Sequence, residues 1–201
     1  MKYWLTTALL LSALLTRAQL AVEKTWVENR INPQGVTAEA PRLTWALVSD
    51  SRGAAQSAYQ VQVAGSPEAL RQGKPLIWDS GKVESGESVH VAYAGPALES
   101  GHTYYWQVRA WDARGKRSAW GPAGSWQMGL LNPEAEFTAQ WIGPGQEEDT
   151  ISRPSPYFRR EFRLDKPVQS ATAYITSHGM YEARLNGQRV GDTYLNPGWT
   201  S

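Results

Sequence analysis

Between residues 41 and 112 apolar side chains recur at every second position, and this alternation constrains the chain more than any other feature. Leu43, Trp45 and Leu47 alternate with Thr44 and Ala46; Tyr59, Val61 and Val63 alternate with Gln60 and Gln62. Val89, Val91 and Tyr93 continue the pattern, followed by Tyr104, Trp106, Val108 and Ala110. A period of two sends one set of side chains into a core and the other outward, which only an extended strand can do. Ser51-Arg52-Gly53, Glu84-Ser85-Gly86 and Ala113-Arg114-Gly115 punctuate the runs as turns, and only residues 67–73 read as a helical turn. The pattern predicts an all-β, antiparallel sandwich.

One stretch is more specific. Leu98, Gly101, Tyr104, Trp106, Val108 and Ala110 place a turn glycine ahead of a tyrosine whose hydroxyl can reach back to the turn backbone. That is the tyrosine corner of Greek-key sandwiches. It resembles the sixth strand of a fibronectin type III domain, with Trp45 as the core tryptophan of an early strand. A fibronectin type III or immunoglobulin-like sandwich is expected over residues 22–132.

The first residues read as an address. Met1-Lys2-Tyr3 is basic, residues 4–15 are almost wholly apolar, and Thr16-Arg17-Ala18 supplies small residues for cleavage after Ala18. This layout predicts a signal peptide over residues 1–18 and export to a bacterial periplasm or medium. The apolar stretch is too short to span a bilayer. Removing Lys2 and Arg17 from the 20 basic residues leaves 18 against 19 acidic ones. Such a balance argues against a nucleic-acid partner, which would call for a basic surface. The chain has no Cys, so disulfides, thiolate metal sites and cysteine nucleophiles are excluded.

After Leu131-Asn132-Pro133 the character changes. Residues 133–155 hold Gly143-Pro144-Gly145 and the acidic run Glu147-Glu148-Asp149, and read as a linker or long loop. Phe158, Phe162 and Leu164 mark one expected strand and residues 171–175 another. Asn186-Gly187, after Tyr181, Ala183 and Leu185, is a type I′ hairpin signal. Residues 156–201 therefore supply three or four strands, the start of a second, jelly-roll-like sandwich that cannot cover its own apolar face. On that ground the sequence is expected to be a fragment cut inside its second domain.

Catalytic constellations are absent from the pattern. A glycosidase needs two facing carboxyl groups about 5–9.5 Å apart. Glu147, Glu148 and Asp149 crowd one loop, while Asp79, Glu84 and Glu87 lie near turns with nothing to pair them. His90, His102 and His178 have no metal-ligand spacing, and there is no G-x-S-x-G elbow. No catalytic residue is expected here. Two aromatic groupings remain. Tyr105, Gln107, Arg109 and Trp111 form the outward set of one strand, with Trp120 and Trp126 expected beside them. They suit either a cation–π ladder or an interdomain contact, or a sugar-binding face. In the second unit Asn186, Asp192 and Asn196 fall near Tyr194 and Trp199, oxygen ligands beside rings that suit a Ca²⁺-assisted carbohydrate site. Asn186 also has a plain role in the hairpin turn.

Several short motifs, in shared order, resemble the N-terminal region of bacterial α-L-rhamnosidases. They are Asn32-Pro33-Gln34-Gly35, Pro41-Arg42-Leu43-Thr44-Trp45, residues 56–61, Trp78-Asp79-Ser80-Gly81-Lys82-Val83, residues 105–112, Trp141-Ile142, the run 181–192 with Leu185-Asn186-Gly187, and Leu195-Asn196-Pro197-Gly198-Trp199-Thr200. The resemblance implies an enzyme that hydrolyses terminal α-L-rhamnose from glycosides or plant polysaccharides with inversion. It further implies that the general acid and base lie on a helical barrel beyond these residues, so none can be assigned here. The fragment itself is then scaffold or accessory, with downstream domains of the same chain and a rhamnose-containing saccharide as partners. No membrane span is expected. No cofactor is required, and Ca²⁺ in the second sandwich is allowed. Two other readings stand beside it: a carbohydrate-binding or adhesion protein of β-sandwiches, and the accessory region of a β-galactosidase-like hydrolase.

Overall fold

A computed structural model describes residues 20–145, 151–152, 154–168 and 170–197. The expected signal peptide, the acidic run Glu147-Glu148-Asp149 and Trp199 lie outside the described residues. Two compact units divide the chain, Met1–Gln140 and Trp141–Ser201.

In the first unit seven strands form two antiparallel sheets. One is three-stranded, in the order β1 (Ala21–Val27), β2 (Arg42–Val48), β5 (Val91–Ala92). The other is four-stranded: β4 (Trp78–Asp79), β3 (Gln56–Ala64), β6 (Thr103–Asp112), β7 (Gly124–Gln127). This is the all-β sandwich that the alternation predicts. Trp45, Trp106 and Trp126 are each at most 2% exposed, packed with Leu43, Val61, Val63 and Val108 between the sheets. Along β6 the even-numbered residues Tyr104 through Ala110 are all buried, so the pleat alone decides which side chains reach the core.

Three departures from simple alternation have local causes. Val22 and Val27 are both buried although they stand five residues apart, an odd spacing that would place them on opposite faces. A register shift between Val22 and Lys24 in the β1–β2 pairing inserts the extra residue that restores them to one face. Val89, expected to point inward, is 60% exposed. His90 beside it takes a left-handed φ of 54° and donates its backbone N–H to Thr44 Oγ1, so β5 begins only at Val91. Trp126, expected on the outer surface, is fully buried, with its Nε1 directed at Met128 Sδ, 3.2 Å away. With only four residues, β7 is too short for its phase to be read from sequence.

The outer edge of β7 is covered by the Asn32-Pro33-Gln34-Gly35 segment. Asn32 Oδ1 accepts from Ser125 N at 2.9 Å, Pro33 O accepts from Gln127 N, and Val36 N donates to Gln127 O. Val36 and Met128 form a parallel bridge. An edge satisfied in this way is closed to strand addition. The expected helical turn is α1 (Pro67–Gln72), capped by Ser66 Oγ accepting from Ala69 N and ended by Gly73 at φ 69°. A further short helix, α2 (Pro133–Glu136), lies within the segment expected to be a linker or loop.

The second unit is different in kind. Among the described residues its regular pairing is the hairpin β8 (Arg184–Leu185), β9 (Gln188–Arg189). Asn186 at φ 51° and Gly187 at φ 80° give the two left-handed residues of a type I′ turn, as expected. The strands expected around residues 158–164 and 171–175 do not form: those segments are irregular, and Phe158, Phe162, Leu164 and Ile175 are between 45% and 64% exposed. No described residue of this unit is buried. An extended segment becomes a strand only when a neighbour takes up its backbone groups, and among the described residues none pairs with these segments.

Candidate functional site

The outward face of β3 and β6 carries the first candidate. The register sets Gln60 opposite Arg109 and Gln62 opposite Gln107. Arg109 donates through Nε and Nη2 to Gln60 Oε1 at 2.9 and 2.6 Å. Gln60 Nε2 in turn donates to Asp79 Oδ1 at 2.6 Å, Gln62 Nε2 to Asp79 Oδ2 at 2.8 Å, and Gln107 Nε2 to Gln62 Oε1 at 3.0 Å. The Gly81 amide adds a third donor to Asp79. Desolvation pushes the Asp79 carboxyl up, but Gln62, Gln60 and Gly81 together hold it below the usual carboxylate range. Burial lowers the Arg109 pKa, and Arg117 nearby lowers it further.

Two indoles flank the guanidinium, Trp120 with its ring centre 4.3 Å away and Trp111 at 5.4 Å, while Lys82 Nζ lies 5.5 Å from the Trp111 ring. At one end α1 crosses the face, with Leu70 2% exposed and its carbonyl accepting from Gln107 Nε2. The outward residues Ala58, Gln60 and Ala64 are themselves buried. Chemically this is a finished network. Asp79, Gln60, Gln62 and Arg109 bond mostly to one another, and the guanidinium lies against two rings. Of the sequence's two readings of this face, the geometry supports the cation–π ladder.

The second candidate is the segment holding Asn186, Asp192, Asn196 and Trp199. Asn186 is in the hairpin turn. The Asn196 side chain exchanges hydrogen bonds with Thr193 Oγ1, and its carbonyl accepts from Tyr181 N at 2.7 Å. Arg189 stacks over Tyr194, 3.8 Å from the ring centre. Asp192 is exposed, and Trp199 lies outside the described residues. Asn196 is thus turned toward Thr193, and among the described residues no three His, Asp or Glu side chains converge as metal ligands.

Several other reactive side chains have partners. His90 Nε2 contacts Asn29 Oδ1 at 2.9 Å, His102 pairs with Glu99, and His178 stacks on Trp141 with ring centres 4.0 Å apart. Glu84 is bound by Lys82. A depression of about 300 Å³ beside residues 33–38 has one carboxylate in its lining, Glu28. That group is held by Arg42 through the backbone N, Nε and Nη2. Sequence reasoning missed this pair, because fourteen residues and a strand reversal separate its members. Among the described residues no helix is long and apolar enough to cross a membrane.

Comparison with known proteins agrees with the geometry. Residues 22–132 match the family model described as the Rha78A-like, N-terminal immunoglobulin domain, and residues 166–201 match the α-L-rhamnosidase N-terminal domain. The chain is 37% identical over 177 residues to an α-L-rhamnosidase of Formosa agariphila, covering 84% of this chain and 19% of that protein. It is 35% identical over 203 residues to one from Streptomyces avermitilis, covering 90% and 19%. The crystal structure of Streptomyces avermitilis α-L-rhamnosidase complexed with L-rhamnose superposes with a TM-score of 0.54 and 46% identity, over 56% of this chain and 11% of that one. Native α-L-rhamnosidase from Aspergillus terreus, at 23% identity and a TM-score of 0.65 over 90% of this chain and 20% of that one, shares the fold. The chain spans about a fifth of the length of the curated relatives it matches.

Proposed function

Because the chain belongs to the α-L-rhamnosidases, through their Rha78A-like N-terminal immunoglobulin domain, we propose that it is the non-catalytic scaffold of an exported enzyme that releases terminal α-L-rhamnose from glycosides or plant polysaccharides. The observation that carries this reading is the state of its reactive side chains. Asp79 accepts from three donors, Glu28 and Glu84 are held by cations, and Arg109 lies between two indoles. Glycoside hydrolysis needs one carboxyl kept protonated and another kept free to receive a water or a sugar. These committed groups serve neither role, and the chain matches only about a fifth of its relatives' length, which supports placing the chemistry in the parts it does not match. The role assigned to these residues uses no cofactor.

The test compares residues 19–201 alone with the continuous reading frame that contains them, using p-nitrophenyl α-L-rhamnoside. Release by the longer protein and none by residues 19–201 is expected. Rhamnose release by residues 19–201 alone would overturn the scaffold reading, and failure of the longer protein to release rhamnose would overturn the enzyme. Export rests on the basic start, the apolar stretch and the small residues before Gln19. Expression in a bacterium with the leader intact should yield a mature chain beginning at Gln19, and an uncleaved chain retained in the cytoplasm contradicts export.

A further inference from the structure

The turn that Tyr104 stabilises has a second attachment. On one side Tyr104 Oη accepts from Glu99 N at 2.9 Å. On the other, Ser100 Oγ accepts from Leu131 N at 2.9 Å and donates to Glu136 Oε2 at 2.9 Å. The same carboxylate oxygen accepts from Asn132 N at 3.0 Å. Gly101 N donates to Gly129 O, Met128 N donates to His102 O, and Gln127 Nε2 donates to Gly101 O. The corner turn is therefore bonded to the chain leaving β7 all the way from residue 127 to residue 136.

Helix α2, at the end of that segment, has no obvious reason to form. It has four residues, none of them buried, and Asn132 at its start makes no side-chain cap. A single helical turn is far below the length that holds itself in water. What it does have is Glu136, one position past the N3 site of a capping box, accepting from the amide of the N-cap Asn132. The Asn132 amide and the Ser100 hydroxyl keep the Glu136 carboxyl below its ordinary range.

We propose that Ser100 and Glu136 form a clamp that fastens the connector, residues 131–137, to the tyrosine-corner turn and so sets the point and direction at which the chain leaves the first sandwich. The corner then does two jobs. Tyr104 rigidifies the turn from within the sandwich, and Ser100 passes that rigidity to the segment that follows.

Amide hydrogen exchange on the full chain tests this. In Glu136→Ala the amides of Leu131 and Asn132 should exchange about tenfold faster, the effect of losing one net hydrogen bond, while those of Trp106 and Val108 keep their protection. Ser100→Ala should do the same, and the double variant should add little to either single change, as expected of one coupled unit. Glu136→Gln, which keeps an acceptor oxygen, should retain most of the protection. Glu136 is exposed and lies outside the sandwich, so its variant tests the clamp even if Ser100→Ala disturbs the corner. Unchanged exchange at Leu131 and Asn132 in Glu136→Ala overturns the proposal. So do additive effects in the double variant, or an acceleration that spreads equally to Trp106 and Val108.

Discussion

Trp126 and Tyr104 stand opposite each other across β6 and β7, their rings stacked 5.4 Å apart and 22° from parallel. The same Tyr104 carries its hydroxyl out of the stack to accept the Glu99 amide. One residue thus joins the hydrophobic layer to the turn that ends it. An aromatic pair of this geometry adds about 0.5–1.5 kcal/mol beyond its buried area.

Tyr104→Phe should keep the stack and lose the acceptor. The orphaned Glu99 amide then costs about 1–2 kcal/mol, read as a lower urea midpoint with an unchanged slope. A midpoint equal to that of the parent chain would show that water satisfies the amide and that the corner bond is incidental.

Arg109→Ala should cost about 1–2 kcal/mol, since it removes two hydrogen bonds to Gln60 and the stacking on Trp120 and Trp111. Arg109→Lys should recover less than half of that loss, because an ammonium cannot reproduce the planar fork. Equal stability of the Lys variant and the parent chain would mean that charge alone matters on this face.

The Glu28–Arg42 pair predicts a specific acid limb. Hydrogen bonds from the Arg42 side chain hold the Glu28 carboxyl below its ordinary value, against a smaller opposing effect of burial. The unfolded chain therefore takes up this proton at a higher pH than the folded one. The pair's contribution is complete above the ordinary carboxylate range and is lost as pH falls through the lower, folded value. Lying at the surface, the pair is screened by solvent and its contribution is small. Urea midpoints measured from pH 6 downward should fall less steeply for Glu28→Gln than for the parent chain, and parallel curves would count against the pair.

Residues 20–140 should unfold with the same urea midpoint as residues 20–201, since no described residue of the second unit is buried while the first has three tryptophans in its core. An unfolding free energy lower by more than about 1 kcal/mol in the shorter chain would show that the second unit stabilises the first.

Much of the first sandwich was legible because it depends on short-range geometry. Alternation at Tyr104, Trp106, Val108 and Ala110 needs no knowledge of the partner strand, and the spacing from Gly101 to Tyr104 predicts the corner by itself. The outer ladder was half legible. The pattern marks Arg109, Trp111 and Gln107 as neighbours on one face, but only the pairing of β3 with β6 brings Gln60 to Arg109, and only that pairing turns a candidate sugar face into a closed network. Glu28 with Arg42 and Ser100 with Glu136 were not legible, because no local rule links residues fourteen or thirty-six positions apart.

By itself the sequence determined which residues extend, which face of each strand is apolar and where tight turns fall: Asn186-Gly187 must turn and Gly73 must end a helix because those conformations are properties of a few adjacent residues. The tertiary structure alone decided register and satisfaction. A bulge at β1 sends both Val22 and Val27 inward, the Asn32–Val36 segment seals the β7 edge, and Trp126 becomes core instead of surface. In the second unit, Phe158 and Phe162 have strand-forming character and yet form no strand, because a strand's hydrogen bonds belong to its neighbour as much as to itself.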